Sequence, residues 1–280
     1  MADISAKDVM ALRNKTGLAM MACKKALAEA GGDPVAAEEL LRKQLKGKME
    51  TKLDRAAGEG RIGVAVSGDG GSAAIVELKA ETDFTAKNEN FVNAVNRIAE
   101  LALAAPAGEV SPTDEMTSIV DDLRASTGEN ISIGRMEKLD ASGDATVFGT
   151  YVHHDGKTGV LIDAEGDVST DTLRQVAMHV TAAVPRPLGV TPDEIPSDLV
   201  ETERMFRIDQ AVESGKPQEI AEKMVEGGMR KFFAEVALLE QSFVVEPSKT
   251  IKEVVAPGTI RGFRRWEVGE TANAEQHAQA

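Results

Sequence analysis

Four histidines, one cysteine and 46 carboxylates are the chemical raw material of this 280-residue chain. Their spacing assembles no catalytic centre. His153 and His154 are neighbours at a strand or its turn, where successive side chains should diverge and fail to chelate one metal ion together. His179 stands between Met178 and Val180 in a helical pattern and reads as a core or groove histidine, and His277 falls in a polar tail. Cys23 lies on the apolar side of a short helix beside Lys24 and Lys25. Neighbouring cations could activate a thiol, but a small buried hydrophobe is the ordinary role of such a cysteine. A single cysteine excludes an internal disulfide and a cysteine-based zinc site. Gly68-Asp69-Gly70-Gly71 joins two strand patterns, whereas a phosphate loop leads from strand into helix. There is no GxSxG, P-loop or HExxH sequence. With no nucleophile, base and oxyanion donors in one pattern, the sequence predicts no enzyme, no metal site and no cofactor.

One segment offers something other than catalysis. Glu81-Thr82-Asp83-Phe84-Thr85-Ala86-Lys87-Asn88 sits where a strand pattern gives way to a helical one. Two readings are open. In the first, Thr82 or Asp83 caps the amides of the following helix and Phe84 tucks beneath it. In the second, an aromatic beside a carboxylate in a loop at a sheet edge is a projecting wedge.

The elements that would hold this segment follow from hydrophobic period. Three short helices are predicted before residue 47. Ser5 with Asp8 marks the first start, Met20, Cys23 and Leu27 set the stripe of the second, and Asp33-Pro34 opens a third over 35–45. A Lys- and Arg-rich linker follows at 48–60, reading as a solvated tether because acidic residues interrupt it. The period then shortens to two: strands at 61–67 and 73–80 form a hairpin, helices follow, and a strand at 130–139 closes the unit. The same order recurs with strands at 147–152 and 159–163, helices, and a strand at 259–268. Helices at 197–213 and 218–240, joined by a short turn, form an inserted antiparallel helical hairpin. The fold class is therefore α+β. It has a small three-helix N-terminal module at 1–47 and two repeated units at 61–140 and 141–270. Each unit is a three-stranded antiparallel sheet with helices on one face. The tail at 271–280 is expected to be disordered.

Composition narrows the partner. Net charge is −14 and aromatic residues make up 4 %, which disfavours both phosphate neutralisation and base stacking. The charge is uneven. Residues 1–57 carry eleven basic and eight acidic side chains, a net of +3, so the remainder carries −17. A separate contact module would look like this. The first residues lack the basic and apolar regions of a signal peptide, and no apolar stretch reaches the roughly 20 residues of a membrane span, so a cytoplasmic location is expected. An RNA-bound scaffold using Lys24, Lys25 and the linker, and a carboxylate-based metal hydrolase, are the rival readings.

Thr82-Asp83-Phe84-Thr85-Ala86-Lys87-Asn88 resembles the TDFVAKN signature of the elongation factor Ts family. Leu12 to Gly17, Met20-Met21 and Cys23 to Leu27 are similar to that family's N-terminal motif, LRxxTGAGMMDCKKAL. Ala177 to Val180, Ser214 to Pro217 with Ile220 to Gly227, Glu246 to Thr250 and Phe263 to Glu270 resemble its later blocks in the right order. Thr85 stands where valine is usual, Leu18-Ala19 where Ala-Gly is, and Ala22 where Asp is; the stretch 106–127 matches only in length and helical character. The resemblance implies a UBA-like N-terminal module, a two-part core and a coiled-coil hairpin. It implies a guanine-nucleotide exchange factor whose partner is the GTPase elongation factor Tu. Thr82, Asp83, Phe84 and Thr85 would belong to the segment that dislocates that partner's magnesium ion. Phe84 would enter an apolar pocket beside His153, Arg13, Met20 and Met21 would grip a second helix of the GTPase domain, and Val244 and Val245 would lie near a further contact.

Overall fold

The computed structural model describes residues 4–16, 18–50, 55–215 and 217–270. The tail at 271–280, expected to be disordered, lies outside the described residues. The chain opens with α1 (Ala6–Thr16), α2 (Met20–Glu29) and α3 (Pro34–Glu50). The Ser5 hydroxyl donates to the Asp8 carboxylate at 2.6 Å and accepts the Asp8 amide at 3.1 Å. Asp33 Oδ1 accepts the amides of Val35 and Ala36, satisfying donors that a helix start leaves unpaired. Val9, Leu12, Cys23, Ala26, Leu27, Ala37 and Leu41 form the buried centre of this trio, so Cys23 is the packed hydrophobe its position suggested. The third helix corrects the expected boundary. It continues to Glu50, through the start of the expected linker. Gly47 costs about 1 kcal/mol in a helix interior, too little to stop a run of Lys, Met and Glu.

The remaining elements are β1 (Glu59–Val66), β2 (Ser72–Ala80), α4 (Asp83–Lys87), α5 (Glu89–Ala102), β3 (Gly108–Glu109), α6 (Asp114–Thr127) and β4 (Ser132–Asp140). After them come β5 (Thr146–Val152), β6 (Thr158–Glu165), α7 (Thr170–Ala182), α8 (Ser197–Glu213) and α9 (Gln218–Val236). The chain closes with β7 (Ser242–Phe243), β8 (Glu246–Thr250), α10 (Ile251–Val255) and β9 (Thr259–Glu267). Two antiparallel sheets carry the core, in the orders β1-β2-β4-β3 and β5-β6-β9, with β7 and β8 as a separate ribbon. The first sheet therefore has four strands where three were expected. Its extra strand is a Gly-Glu pair beyond Pro106, too short to carry any period. α8 and α9 pack on each other as expected, but α9 stops at Val236 and a 3₁₀ turn, Leu238–Glu240, follows. No helix among the described residues is long and apolar enough to cross a membrane.

Each central strand is apolar on both faces, and the period of two sorts its residues. On β2, Ala74, Val76, Leu78 and Ala80 pack under α5 and α6 with Phe91, Val95, Ile98 and Met116. Ala73 and Ile75 point the other way and meet Ile62, Phe148, Leu161 and Trp266. On β6, Val160, Ile162 and Ala164 pack against α7, while Leu161 joins the second set. The sheets thus lie back to back, helices outside and a thin apolar seam between. That is why the central strands read as near-continuous apolar runs. Burying each Ile or Leu of these layers contributes about 1.5–3 kcal/mol.

Polar groups close the seam at one end. Glu77, fully buried on β2, accepts Arg135 Nε at 3.0 Å and the Gly269 amide at 3.0 Å. Arg135 also lies over the Trp266 ring at 4.6 Å. Arg264 of β9 grips Glu137 of β4 through both carboxylate oxygens, at 2.9 and 2.8 Å. Buried charges need such partners because an unpaired one is costly, and here they lock the register of one sheet on the other.

A candidate partner-binding site

The segment singled out by its residue types forms a helix of its own, α4, between the end of β2 and the start of α5. Thr82 is its cap: extended backbone, with the side-chain oxygen accepting the Thr85 amide at 3.3 Å. Asn88 caps α5 by accepting the Asn90 amide at 2.9 Å. Asp83 is therefore the first helical residue rather than the cap, and Phe84 does not tuck underneath. Phe84 is 82 % exposed, more than any other Phe, Tyr or Trp among the described residues. The cause is geometric. Thr85 and Ala86 face inward in this single turn, which leaves Phe84 on the outer side.

Asp83 stands beside Phe84 with its carboxylate 2.7 Å from the Lys87 ammonium. That hydrogen bond, with a smaller contribution from the charge of Lys157, holds the Asp83 carboxyl below the usual range. Asp83 is consequently an anion across the neutral range. Lys157 arrives on the turn between β5 and β6, held by Glu59 at 2.6 Å. The Gly156 carbonyl of that turn accepts the Ile62 amide at 2.8 Å, and Gly156, at φ 77°, is the residue able to make the left-handed bend.

The same turn carries His153 and His154, and their geometry corrects the expectation. The rings do not diverge; their centroids are 4.2 Å apart in an edge contact. The strand pleat ends at Val152, so alternation no longer applies. His153 Nδ1 lies 3.2 Å from the Tyr151 hydroxyl. No group of three or more His, Cys, Asp or Glu side chains among the described residues could hold a metal ion.

Arg13 is exposed on α1. Met20 and Met21 are exposed on the first turn of α2, away from the face that buries Cys23, Ala26 and Leu27. Val244 and Val245 form the two-residue tip between β7 and β8, and both are exposed. Those short strands carried no sequence signal, but their support is specific. His179 is buried on α7, where Nδ1 accepts the Val244 amide at 3.2 Å and Nε2 donates to Gln241 Oε1 at 2.9 Å. Gln241 in turn donates to the carbonyls of Pro185 and Glu235. The network requires a neutral ring, since a second ring proton would face the Val244 N–H. Burial pushes the His179 pKa below its ordinary 6.5, against a weaker opposing effect of Gln241.

A pH dependence follows. Above about 6.5 the ring is neutral folded and unfolded, so titration costs nothing. As pH falls through 6.5 the unfolded chain takes up a proton that the folded chain refuses. Stability should drop by up to about 1.4 kcal/mol per pH unit. In melts between pH 7.5 and 5.5, His179→Asn should show a shallower decline than the wild type. Parallel curves would contradict this assignment.

Residues missed by sequence reasoning lie beneath α4. Glu129 Oε2 accepts the Thr82 amide at 3.1 Å, while Oε1 accepts the hydroxyls of Thr82 at 2.7 Å and Thr85 at 2.6 Å. Thr85 is itself buried, so its hydroxyl is engaged internally and not with a partner. No local signal marks Glu129, which is 47 positions from Thr82.

What this arrangement can do is steric and electrostatic: a rigid double-sheet scaffold displays an aromatic ring and an adjoining anion, with further apolar points on separate elements. A family profile described as Elongation factor TS matches residues 81–270. Relatives with the name elongation factor Ts include one from Thioalkalivibrio sulfidiphilus, 41 % identical over 95 % of this chain and 92 % of its own. The protein from Hyphomonas neptunium is 42 % identical over 96 % and 93 %, and that from Halothermothrix orenii 36 % identical over 98 % and 95 %. The chain belongs to the elongation factor Ts family.

Proposed function

We propose that this chain is a translation elongation factor that binds elongation factor Tu in its GDP form, disturbs the magnesium and phosphate site, and promotes GDP release so that GTP can bind. The observation that carries this reading is Phe84, a large apolar ring left in water on a capped and bolted turn. An exposed aromatic beside a constitutive anion fits a partner with an apolar pocket next to a bound cation. Phe84 fills the pocket. Asp83, freed from Lys87, competes for the partner groups that hold Mg²⁺ and phosphate. His153 lines the entrance, Arg13, Met20 and Met21 grip a second helix, and Val244 and Val245 touch a further region.

No step needs hydrolysis, a cofactor or nucleotide binding on this chain. If the factor prefers the nucleotide-free partner, it weakens nucleotide binding by the same ratio by which nucleotide weakens the factor. In this reading the helices α1 to α3 are a UBA-like binding module, and the two sheets are one repeated plan, a view supported by their shared order of hairpin and distant third strand. The helices α8 and α9 are its coiled-coil hairpin, and the work is done in the cytoplasm. The direct test is release of a fluorescent GDP from elongation factor Tu. This chain should accelerate it many-fold at sub-stoichiometric amounts, and an unchanged rate would refute the reading.

A further inference from the structure

A five-residue helix cannot hold itself. One turn fixes several residues for very few hydrogen bonds, so nucleation is unfavourable without outside support. α4 gains nothing from burying Phe84, whose ring is in water, and only Thr85 and Ala86 face the core. Yet a wedge transmits force only if its base is fixed. The question is what fixes it.

The three bonds to Glu129 hold the turn at two points: the amide and hydroxyl of Thr82 at its start and the hydroxyl of Thr85 at its middle. Bonds to a carboxylate are shorter and stronger than neutral ones, as the 2.6 and 2.7 Å separations indicate. Glu129 is anchored from both sides. Before it, Gly128 ends α6 at φ 71° with its amide on the Arg124 carbonyl at 2.9 Å. After it, the Asn130 amide donates to Glu81 Oε1 at 2.6 Å, and the Ile131 carbonyl accepts Arg124 Nε at 2.6 Å. Two carboxylates therefore cross the gap in opposite directions. Glu81, just ahead of the turn, grips the stretch after α6, and Glu129 in that stretch grips the turn.

From this we infer that Glu129 is a positioning residue for exchange: it sets the direction in which Asp83 and Phe84 project, without touching the partner itself. The inference rests on the wedge reading above and adds the element that makes the wedge rigid. It also assigns Thr85 a supporting role beneath the ring.

The test uses the full chain, with melting temperature and the GDP-release rate from elongation factor Tu at saturating factor. Glu129→Ala should slow release by about tenfold or more, because all three bonds are lost and the net contribution of even one charge-assisted hydrogen bond corresponds to about that factor. Glu129→Gln should recover most of the rate, because its oxygen can accept the Thr82 amide while both hydroxyls rotate to accept its NH₂. Glu129→Asp, one methylene short, should remain slow. Thr85→Val removes one bond at nearly constant shape and should fall between wild type and Glu129→Ala; it carries the same test if Glu129→Ala fails to fold. The decisive comparison adds Glu129→Ala, or Thr85→Val, to the pair Asp83→Ala/Phe84→Ala. With nothing left to aim, no further slowing is expected. A multiplicative loss in that background, or a wild-type rate for Glu129→Ala, overturns the inference alone. A wild-type rate for the Asp83→Ala/Phe84→Ala pair overturns the wedge reading and this inference together.

Discussion

Phe84→Ala should leave the folded chain almost as stable as before and remove most of its exchange activity. An exposed side chain away from caps, cores and networks changes stability by no more than about 0.5 kcal/mol when truncated. Phe84, 82 % exposed, has little packing to lose. In the proposed complex the same ring would be a buried anchor, and anchors of this kind contribute about 2 kcal/mol or more. If that contribution is made mainly in the opened, nucleotide-free state, GDP release at saturating factor should slow by roughly 30-fold or more. Asp83→Ala should behave alike, because Thr82 rather than Asp83 caps α4 and the Lys87 partner is exposed. Thr82→Ala is the contrasting variant. It removes the cap and one hydroxyl bond to Glu129, so its melting temperature should fall with the 0.5–2 kcal/mol loss, about the cost of a missing cap. A large loss of stability in Phe84→Ala, with normal release per folded molecule, would return the segment to helix capping.

The opposite pattern is expected seven residues later. Phe91 is fully buried between α5 and the first sheet, among Val76, Val95 and Ile98. Phe91→Ala leaves a cavity and should cost about 3–5 kcal/mol, lowering the melting temperature by roughly 2–4 °C for each kcal/mol. Release per folded molecule should stay near wild type, since α4 is held by Glu129 and its cap. A Phe91→Ala protein that melts normally would show that the helix layer is not the core described here. Measured together, the two phenylalanines separate presenting a ring from packing one.

The parts of this fold written in the sequence are those with local causes. The caps at Ser5 and Asp33, the hairpins at 68–71 and 153–158, and the helical stripe of Phe91, Val95 and Ile98 each depend on residues a few positions apart. So the longer helices and the two central hairpins were visible, while the five-residue helices α4 and α10 were not. What was hidden depends on distance in sequence. β3 is two residues that exist only because Met136, Glu137 and Lys138 of β4 lie beside them. The β7 and β8 ribbon is fixed by His179 from 65 positions away. The diverging histidines failed because the strand rule was applied one residue beyond the strand. At the candidate site, types and spacing singled out Asp83 and Phe84 but left cap and wedge undecided. Only the burial of Thr85 and the exposure of Phe84 show which way the turn faces. Glu129 was invisible, because a carboxylate after a helix-ending glycine looks like any solvated loop residue until the turn it supports is folded against it.

The central claim is differential binding, and it can be measured without following exchange. The affinity of this chain for elongation factor Tu should be determined by titration calorimetry twice, once with the partner free of nucleotide and once saturated with GDP and Mg²⁺. The account predicts much tighter binding to the nucleotide-free partner, by the same factor by which this chain weakens GDP binding in the reciprocal titration. Phe84→Ala should shrink that factor. Equal affinity for the two forms would contradict the account, because a factor that does not distinguish them cannot shift nucleotide off its partner.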